Sequence, residues 1–190
     1  MAENRPALMG ATGRTTRYWR LASLMGATVT MGLMAGLFGD WALTIMPGLH
    51  TTDDRTFVGA FQALEQAINN APFMLAFMGA LAFTAVAAVL HMRGDDRAPL
   101  PWVAAAFGLY LVAFVITVVV HVPLNDALVA AGDPDRITDL GAVRDAFDET
   151  RWANWHAVRT VATIAAFGCL LWALVLHGRA GIPQRGQRPW

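Results

Sequence analysis

The sequence predicts an all-α fold: an integral membrane antiparallel four-helix bundle with amphipathic helical segments in its two outer loops. Three observations lead there. Four apolar runs, at about residues 21–45, 71–90, 101–120 and 157–176, are long enough to cross a bilayer. A helix needs about 20 mainly apolar residues to span about 30 Å of hydrocarbon. The 14 basic residues, all arginine, sit almost entirely outside those runs. The chain is 56% hydrophobic and only 15% charged, in segregated blocks that a soluble domain rarely shows.

The N-terminal tail, residues 1–19, carries Arg5, Arg14 and Arg17, and Arg20 follows it. Arg93 and Arg97 separate the second and third runs, and Arg179, Arg185 and Arg188 lie in the C-terminal tail, residues 178–190. By the positive-inside rule these three regions are cytoplasmic, so both termini of a multi-pass cell-membrane protein lie inside. Residues 20–177 form the membrane domain, and the ends of the tails, 1–17 and 181–190, read as mobile. The first run is too long for the core of a secretory signal and is read as a retained helix. It holds the small-residue pairs Gly32/Gly36 and Ala35/Gly39, which suit close packing within the bundle. Pro47 ends or kinks it.

The first outer connection contains a helix of its own. Thr52, Asp53 and Asp54 give a start signal, and Phe57, Phe61, Leu64 and Ile68 recur at helical spacing. Gln62, Glu65 and Asn69 line its second face, and Asn69-Asn-Ala-Pro72 breaks it. The second connection is short and polar. The third is long, with a turn-rich stretch at residues 131–135 and a second amphipathic pattern of Leu140, Val143 and Phe147. Trp152 and Trp155 mark the membrane interface before the fourth run. No repeat of useful period is evident. The net charge of zero gives no bulk attraction to nucleic acid, and the single cysteine, Cys169, excludes an intrachain disulfide.

Polar groups collect near the predicted outer face. His121 and Asn125 are four residues apart, on one helical face if the helix continues past Pro123. His156 and Arg159 share a face at the start of the fourth run. Asp40 lies within the first run, where a carboxylate facing lipid costs about 2.5–3.5 kcal/mol. It is therefore expected to face the interior and pair with Arg159 or a histidine, either as an acid, base or ligand or as a structural ion pair. His91 and His177 read as interfacial side chains without a catalytic role, and His50 as a loop residue. His121, His156 and Asp40 form a candidate metal set, since two histidines and one carboxylate can hold iron. No compact ligand motif supports it. A membrane haem protein would pair His121 with His156 and His91 with His177. That reading ranks low, because His156 and His177 lie about 31 Å apart along a helix, close to the membrane's two edges.

Several segments in order carry a resemblance: Met46-Pro-Gly-Leu49, Phe57-Val-Gly-Ala-Phe-Gln62, Asn69-Asn-Ala-Pro-Phe73, Met78-Gly-Ala80, Val122-Pro-Leu-Asn-Asp-Ala-Leu128 and Trp152-Ala-Asn-Trp-His-Ala-Val-Arg-Thr160. Over roughly residues 20–177 the chain resembles the anthrone oxygenase-like family of small membrane proteins. The resemblance implies that Asn125, Trp152 and Arg159 are hallmark residues, and that asparagine usually stands where this chain has His156. Some fungal members oxidise anthrones to anthraquinones; bacterial members are mostly unassigned. An oxygenase reading makes His121 or His156 the base and Arg159 the stabiliser of an enolate. Asn125 and Asp40 join that catalytic set, and Trp152, Trp155 and Gln62 contact a hydrophobic substrate. It requires no cofactor beyond dioxygen. The alternative is a non-enzymatic membrane protein that binds a lipid, a hydrophobic ligand or a membrane partner, with Asp40, Asn125 and Arg159 as a structural polar knot. A transporter is the weaker third reading, for want of an inverted repeat and broken helices.

Overall fold

The computed structural model describes residues 5–93 and 97–179. The expected tail beyond residue 179, with Arg185 and Arg188, lies outside them, as do residues 1–4. Among the described residues four helical stretches are long and apolar enough to cross a membrane, at Thr15–His50, Ala71–Met92, Leu100–Ala130 and Leu140–Arg179. The chain is an all-helical membrane bundle. Helix α1 (Arg5–Asp40) starts inside the stretch expected to be a tail.

Neither proline near the end of a span stops its helix. Pro47 has no N–H to give to the carbonyl four residues back. The chain instead widens into a π-turn, π1 (Trp41–Ile45), in which the Met46 N–H reaches the Trp41 carbonyl, and continues as α2 (Met46–His50). The same device recurs after α5 (Leu100–Ile116). Pro123 follows a second π-turn, π2 (Thr117–His121), whose Val122 N–H reaches the Thr117 carbonyl, and α6 (Val122–Ala130) carries the helix on.

Each half then adds an aspartate-capped amphipathic helix. In α3 (Asp54–Ile68) the Asp53 carboxylate accepts the Thr56 N–H. That bond, with one from the Thr56 hydroxyl, holds Asp53 below the ordinary carboxylate range. In α7 (Leu140–Phe147) Asp139 accepts the Ala142 N–H. A long helix closes each half: α4 (Ala71–Met92), capped by Asn70, and α8 (Glu149–Arg179). Asp148 joins α7 to α8 in the left-handed region, at φ 53°, and its side chain accepts the Arg151 N–H. The halves thus share the same main elements although their sequences show no repeat: span, π-turn, short helix, capped amphipathic helix, span, the second half adding a 3₁₀ turn at Pro134–Arg136 before its amphipathic helix.

The long helices pack in a ring, α1 against α4 and α8, and α5 against the same two. Their core includes Leu24, Met31, Met34, Ala80, Val103, Tyr110, Ala166 and Leu170. Small hydroxyl residues fit inside because they bond their own helix: Thr28 donates to Leu24 O, Thr84 to Ala80 O and Thr163 to Arg159 O. The outward faces are apolar, with Leu33, Val119 and Val161 each at least 60% exposed, as suits lipid. Of the glycine pair in α1, Gly32 meets Phe167 of α8 so closely that a Cβ would lie 2.9 Å from that ring, whereas Gly36 faces open space. His91 and His177, expected to be interfacial, are buried and meet at 3.4 Å between Nε2 and Nδ1.

Helices α2, α3, α6 and α7 form a cap over one end of the bundle. Its separate core joins Trp41, Met46, Phe57, Val58, Phe61, Leu128, Phe147 and Trp152. Arg144, which reads from sequence as a loop charge, clamps this cap. It donates to Glu149 at 2.5 Å, Asp54 at 3.1 Å and the carbonyls of Thr52 at 2.9 Å and His50 at 3.2 Å. Its guanidinium also lies 4.3 Å from the Phe57 ring centroid. Replacing Arg144 by methionine keeps the stem and removes these bonds. It is expected to cost about 2–3 kcal/mol, because hydrogen bonds to charged groups carry about 1.5–3 kcal/mol each and some are regained from water. Thermal unfolding in detergent measures this, and an unchanged melting temperature refutes the clamp.

Candidate functional site

The site lies where the membrane core meets the cap. Arg159 of α8 is only 7% exposed. Its Nε–H donates to His156 Nδ1 at 2.9 Å and its Nη1–H to Thr117 Oγ1 at 3.0 Å. The guanidinium sits 4.3 Å from the centroid of the Phe38 ring and 5.7 Å from that of Trp152. Among the described residues no carboxylate comes within ion-pair distance of it. The cation's direct partners are therefore neutral, and the acid that acts on it, Glu65, does so at longer range from the same cavity wall.

The two histidines differ, and their hydrogen bonds say how. A carbonyl oxygen can only accept. His156 Nε2 lies 2.9 Å from Phe38 O, so Nε2 carries the proton and Nδ1 is the acceptor for Arg159. Both nitrogens are committed, and the neutral ring stacks on Trp152 at 4.6 Å. His121, the last residue of π2, faces Ile116 O through Nδ1 at 3.4 Å. Nδ1 is then the donor, and Nε2, buried without a partner, keeps a free lone pair. The ring meets Trp152 edge-on at 5.0 Å.

Trp152 is 1% exposed and donates from Nε1 to Asn125 Oδ1 at 2.9 Å; Asn125 Nδ2 donates to Glu65 Oε2 at 2.9 Å. Helix α6 can present Asn125 here because the chain stays helical through Pro123. Beside this relay is a cavity of about 240 Å³, lined by Phe38, Trp41, Glu65, Phe73, Phe77, Thr117, His121, Asn125, Trp152 and Arg159, with Met74, Met78, Val118 and Val122 at its apolar rim and Ile68 and Asn69 at its edge on the cap side. A second cavity, of about 380 Å³, lies against Trp152 and His156 from the α2 side and is bordered by His50, Glu149, Thr150 and Asn154. His50 is accordingly more than a loop residue, its Nδ1 lying 3.0 Å from Glu149.

Three expected members fall elsewhere. Asp40 is exposed on the outside of α1 and makes no interior ion pair. The reason is depth. Asp40 follows the exposed Trp19 by 21 residues, about 31 Å of helix, which is a full hydrocarbon thickness. Its carboxylate therefore reaches the headgroup level and needs no buried partner. The metal set of His121, His156 and Asp40 consequently does not assemble, and both His156 nitrogens are already used. Among the described residues no three histidine, cysteine or acidic side chains converge as ligands. His121 and His156 do meet, at 5.8 Å between ring centroids, but His156 has no nitrogen left for haem iron. Trp155 is 43% exposed and points away from the cavity. Gln62 donates to Leu128 O and Gly132 O, each at 2.9 Å, and fastens α3 to the end of α6 rather than facing the cavity.

Glu65, Thr117, Phe38 and Trp41 complete the site, and sequence reasoning did not single them out for it. Only Glu65 carried a signal, as part of the polar face of α3. It is the acid that lines the cavity in place of the expected Asp40, but it bonds Asn125 rather than Arg159 or a histidine. Burial pushes its pKa up, partly opposed by the Asn125 hydrogen bond.

Two predictions follow from these bonds. His156→Asn supplies the same pair of functions, an N–H for Phe38 O and an oxygen for Arg159, and is expected to melt close to the parent protein. His156→Leu leaves both groups unpaired and is expected to lose about 2–6 kcal/mol, at about 1–3 kcal/mol per buried orphan. Equal melting of the two variants contradicts the assignment. For Glu65, a raised folded-state pKa means stability that is full below the ordinary carboxylate pKa and lost as pH rises through the raised one. Melting temperature measured from about pH 4 to pH 7 should fall more for the parent than for Glu65→Gln.

Comparison with curated proteins and with solved structures returns no match. The model of the anthrone oxygenase family matches residues 73–169, about half of the chain. That segment contains Thr117, His121, Asn125, Trp152, His156 and Arg159, and stops short of Phe38, Trp41 and Glu65. With this match on the segment that builds the inner wall of the cavity, the chain belongs to the anthrone oxygenase family.

Proposed function

We propose that this protein oxidises a planar, apolar aromatic substrate with an enolisable carbonyl, of which an anthrone is the simplest example. The observation that carries the reading is a buried guanidinium with no carboxylate in ion-pair contact, in the wall of a largely apolar cavity that also holds Glu65 at longer range and His121, whose Nε2 has no partner. His121 Nε2 takes the acidic C–H proton, and Arg159 binds the enolate oxygen that forms. His156 and Thr117 are positioning residues that aim the guanidinium. The enolate gives an electron to dioxygen, and the two radicals join as a C–O bond. Protonated His121 returns its proton to the peroxide oxygen. The hydroperoxide then loses water as its second C–H proton leaves, and a carbonyl remains. The sum is substrate CH₂ plus O₂ giving C=O plus H₂O. Both electron pairs come from the substrate.

Asn125 and Glu65 keep Trp152 upright beside the reacting ring and form a polar path toward the cap. Arginine bias gives the orientation in this reading. Arg17, Arg20, Arg93, Arg97 and Arg179 lie at the end opposite the cap, so the cap faces outward from the cell membrane and both termini face the cytoplasm.

A non-enzymatic binder of hydrophobic ligands is the competing reading, and the relay from Glu65 through Asn125 to Trp152 favours it as a structural knot. Arg159→Ala separates the two. As an enzyme, the purified variant loses about 100-fold or more in oxygen uptake with anthrone, the scale of a lost oxyanion donor, and still melts cooperatively. His121→Gln loses turnover as well, whereas His156→Asn keeps most of it. Full turnover by Arg159→Ala, or no oxygen uptake by the parent protein with any enolisable aromatic ketone, sinks the oxygenase reading.

A further inference from the structure

We infer that the cavity is loaded sideways from the membrane, through a gap between α4 and π2, by a planar aromatic dissolved in the lipid leaflet next to the cap. This rests on the reading of the cavity as a substrate site and adds where the substrate comes from.

The rim decides the direction. Met74 and Met78 of α4 are 41% and 43% exposed, and Val118 and Val122 across the gap are 48% and 42% exposed. All four also line the cavity. On the cap side the same cavity is bordered by exposed Asn69 and half-buried Glu65, so the apolar part of the rim is confined to the α4–π2 side, whereas the second cavity is bordered by the polar His50, Glu149, Thr150 and Asn154. Depth agrees. Met78 lies six residues into α4 from Pro72, about 9 Å along the axis, which puts it inside the hydrocarbon.

The walls fit a flat guest. Phe73 and Phe77, both in the lining, are nearly parallel, at 10° and 5.7 Å, and Phe77 is backed outside the lining by Phe114 at 17° and 5.1 Å. Polarity increases inward, from the Met/Val rim to Arg159 and His121. A guest that enters from lipid and carries one acidic oxygen meets the guanidinium with that oxygen foremost. The methionines are unbranched and can yield to a ring without backbone movement. Apolar aromatics partition strongly into hydrocarbon, so the leaflet is where such a substrate is concentrated.

The test uses a small lipid-soluble aryl diazirine in vesicles that contain the full-length protein. Photolysis marks side chains that the probe reaches, and peptide mass spectrometry locates them. Phe38 and Phe77 are only 4% and 5% exposed. Lateral loading predicts strong labelling of both, cut at least tenfold by Val118→Trp and by Met78→Trp, which block the gap from opposite helices. Val161→Trp, on an open lipid face of α8, leaves the labelling unchanged. Three results overturn the route. In the first, Phe38 and Phe77 stay unlabelled while lipid-facing Val161 is marked, as when an acyl chain fills the gap. In the second, labelling persists in both rim variants. In the third, a charged, membrane-impermeant diazirine labels the pair equally well. Oxygen uptake with anthrone is recorded on the same samples. Labelling without turnover keeps the route and removes the oxygenase reading; turnover without labelling does the reverse.

Discussion

Arg159 is a full positive charge held almost out of contact with water and without a carboxylate beside it. Its cost is offset by three neutral contacts, and each constrains another part of the chain. The His156 acceptor exists only because Phe38 O takes the proton on the opposite nitrogen, which ties α8 to the end of α1. The Thr117 hydroxyl donates back to Ala113 O, so its lone pairs are free for the guanidinium, which ties α8 to α5. The Phe38 ring supplies the third contact. Three of the four long helices therefore meet at one guanidinium, and α4 contributes the apolar wall opposite. The charge itself is balanced only at longer range, by Glu65 in the same cavity wall.

The backbone reaches this arrangement through two prolines. Each removes one N–H near the capped end of a span, and each is accommodated by a π-turn rather than a break. One residue inserted in a helical turn rotates everything beyond it by about 100° relative to an uninterrupted α-helix. That rotation lets α2 and α6 continue as cap elements with Met46 and Leu128 in the cap core. It also puts His121, at the end of π2, against Trp152 of α8. The repeated order of elements means that the same solution serves both halves, even though the loop after α6 is longer than the loop after α2.

The legible parts were those in which one residue type acts alone. Asp53, as a helix start, needs only its own carboxylate and a following N–H, and it is the observed cap. The apolar stripes of α3 and α7 follow from spacing and do form the cap core through Phe57, Phe61 and Phe147. The clustering of His121, Asn125, His156 and Arg159 also followed, because consecutive antiparallel spans have little freedom in depth. Asp40 did not follow, since its cost was reckoned for mid-membrane when the first helix extends well beyond the hydrocarbon. Arg144 looked like any loop charge, because its four partners come from segments about 90 residues away in sequence or from the following turn. Glu65 carried a periodicity signal but nothing that pointed to Asn125, 60 residues on.

The sequence by itself determined four membrane-spanning helices, the amphipathic character of the outer helices and the pooling of polar groups near one end. These depend on hydrophobicity and helical period, which accumulate along the chain without reference to distant partners. Only the tertiary structure decided which carboxylate joins the site, which histidine keeps a free nitrogen, and that Gln62 and Trp155 face away from the cavity. Those outcomes depend on how each helix is rotated about its axis and how far it extends along the bundle. Both are set by packing between helices and by the two π-turns, where regular helical spacing no longer tells which way a side chain points.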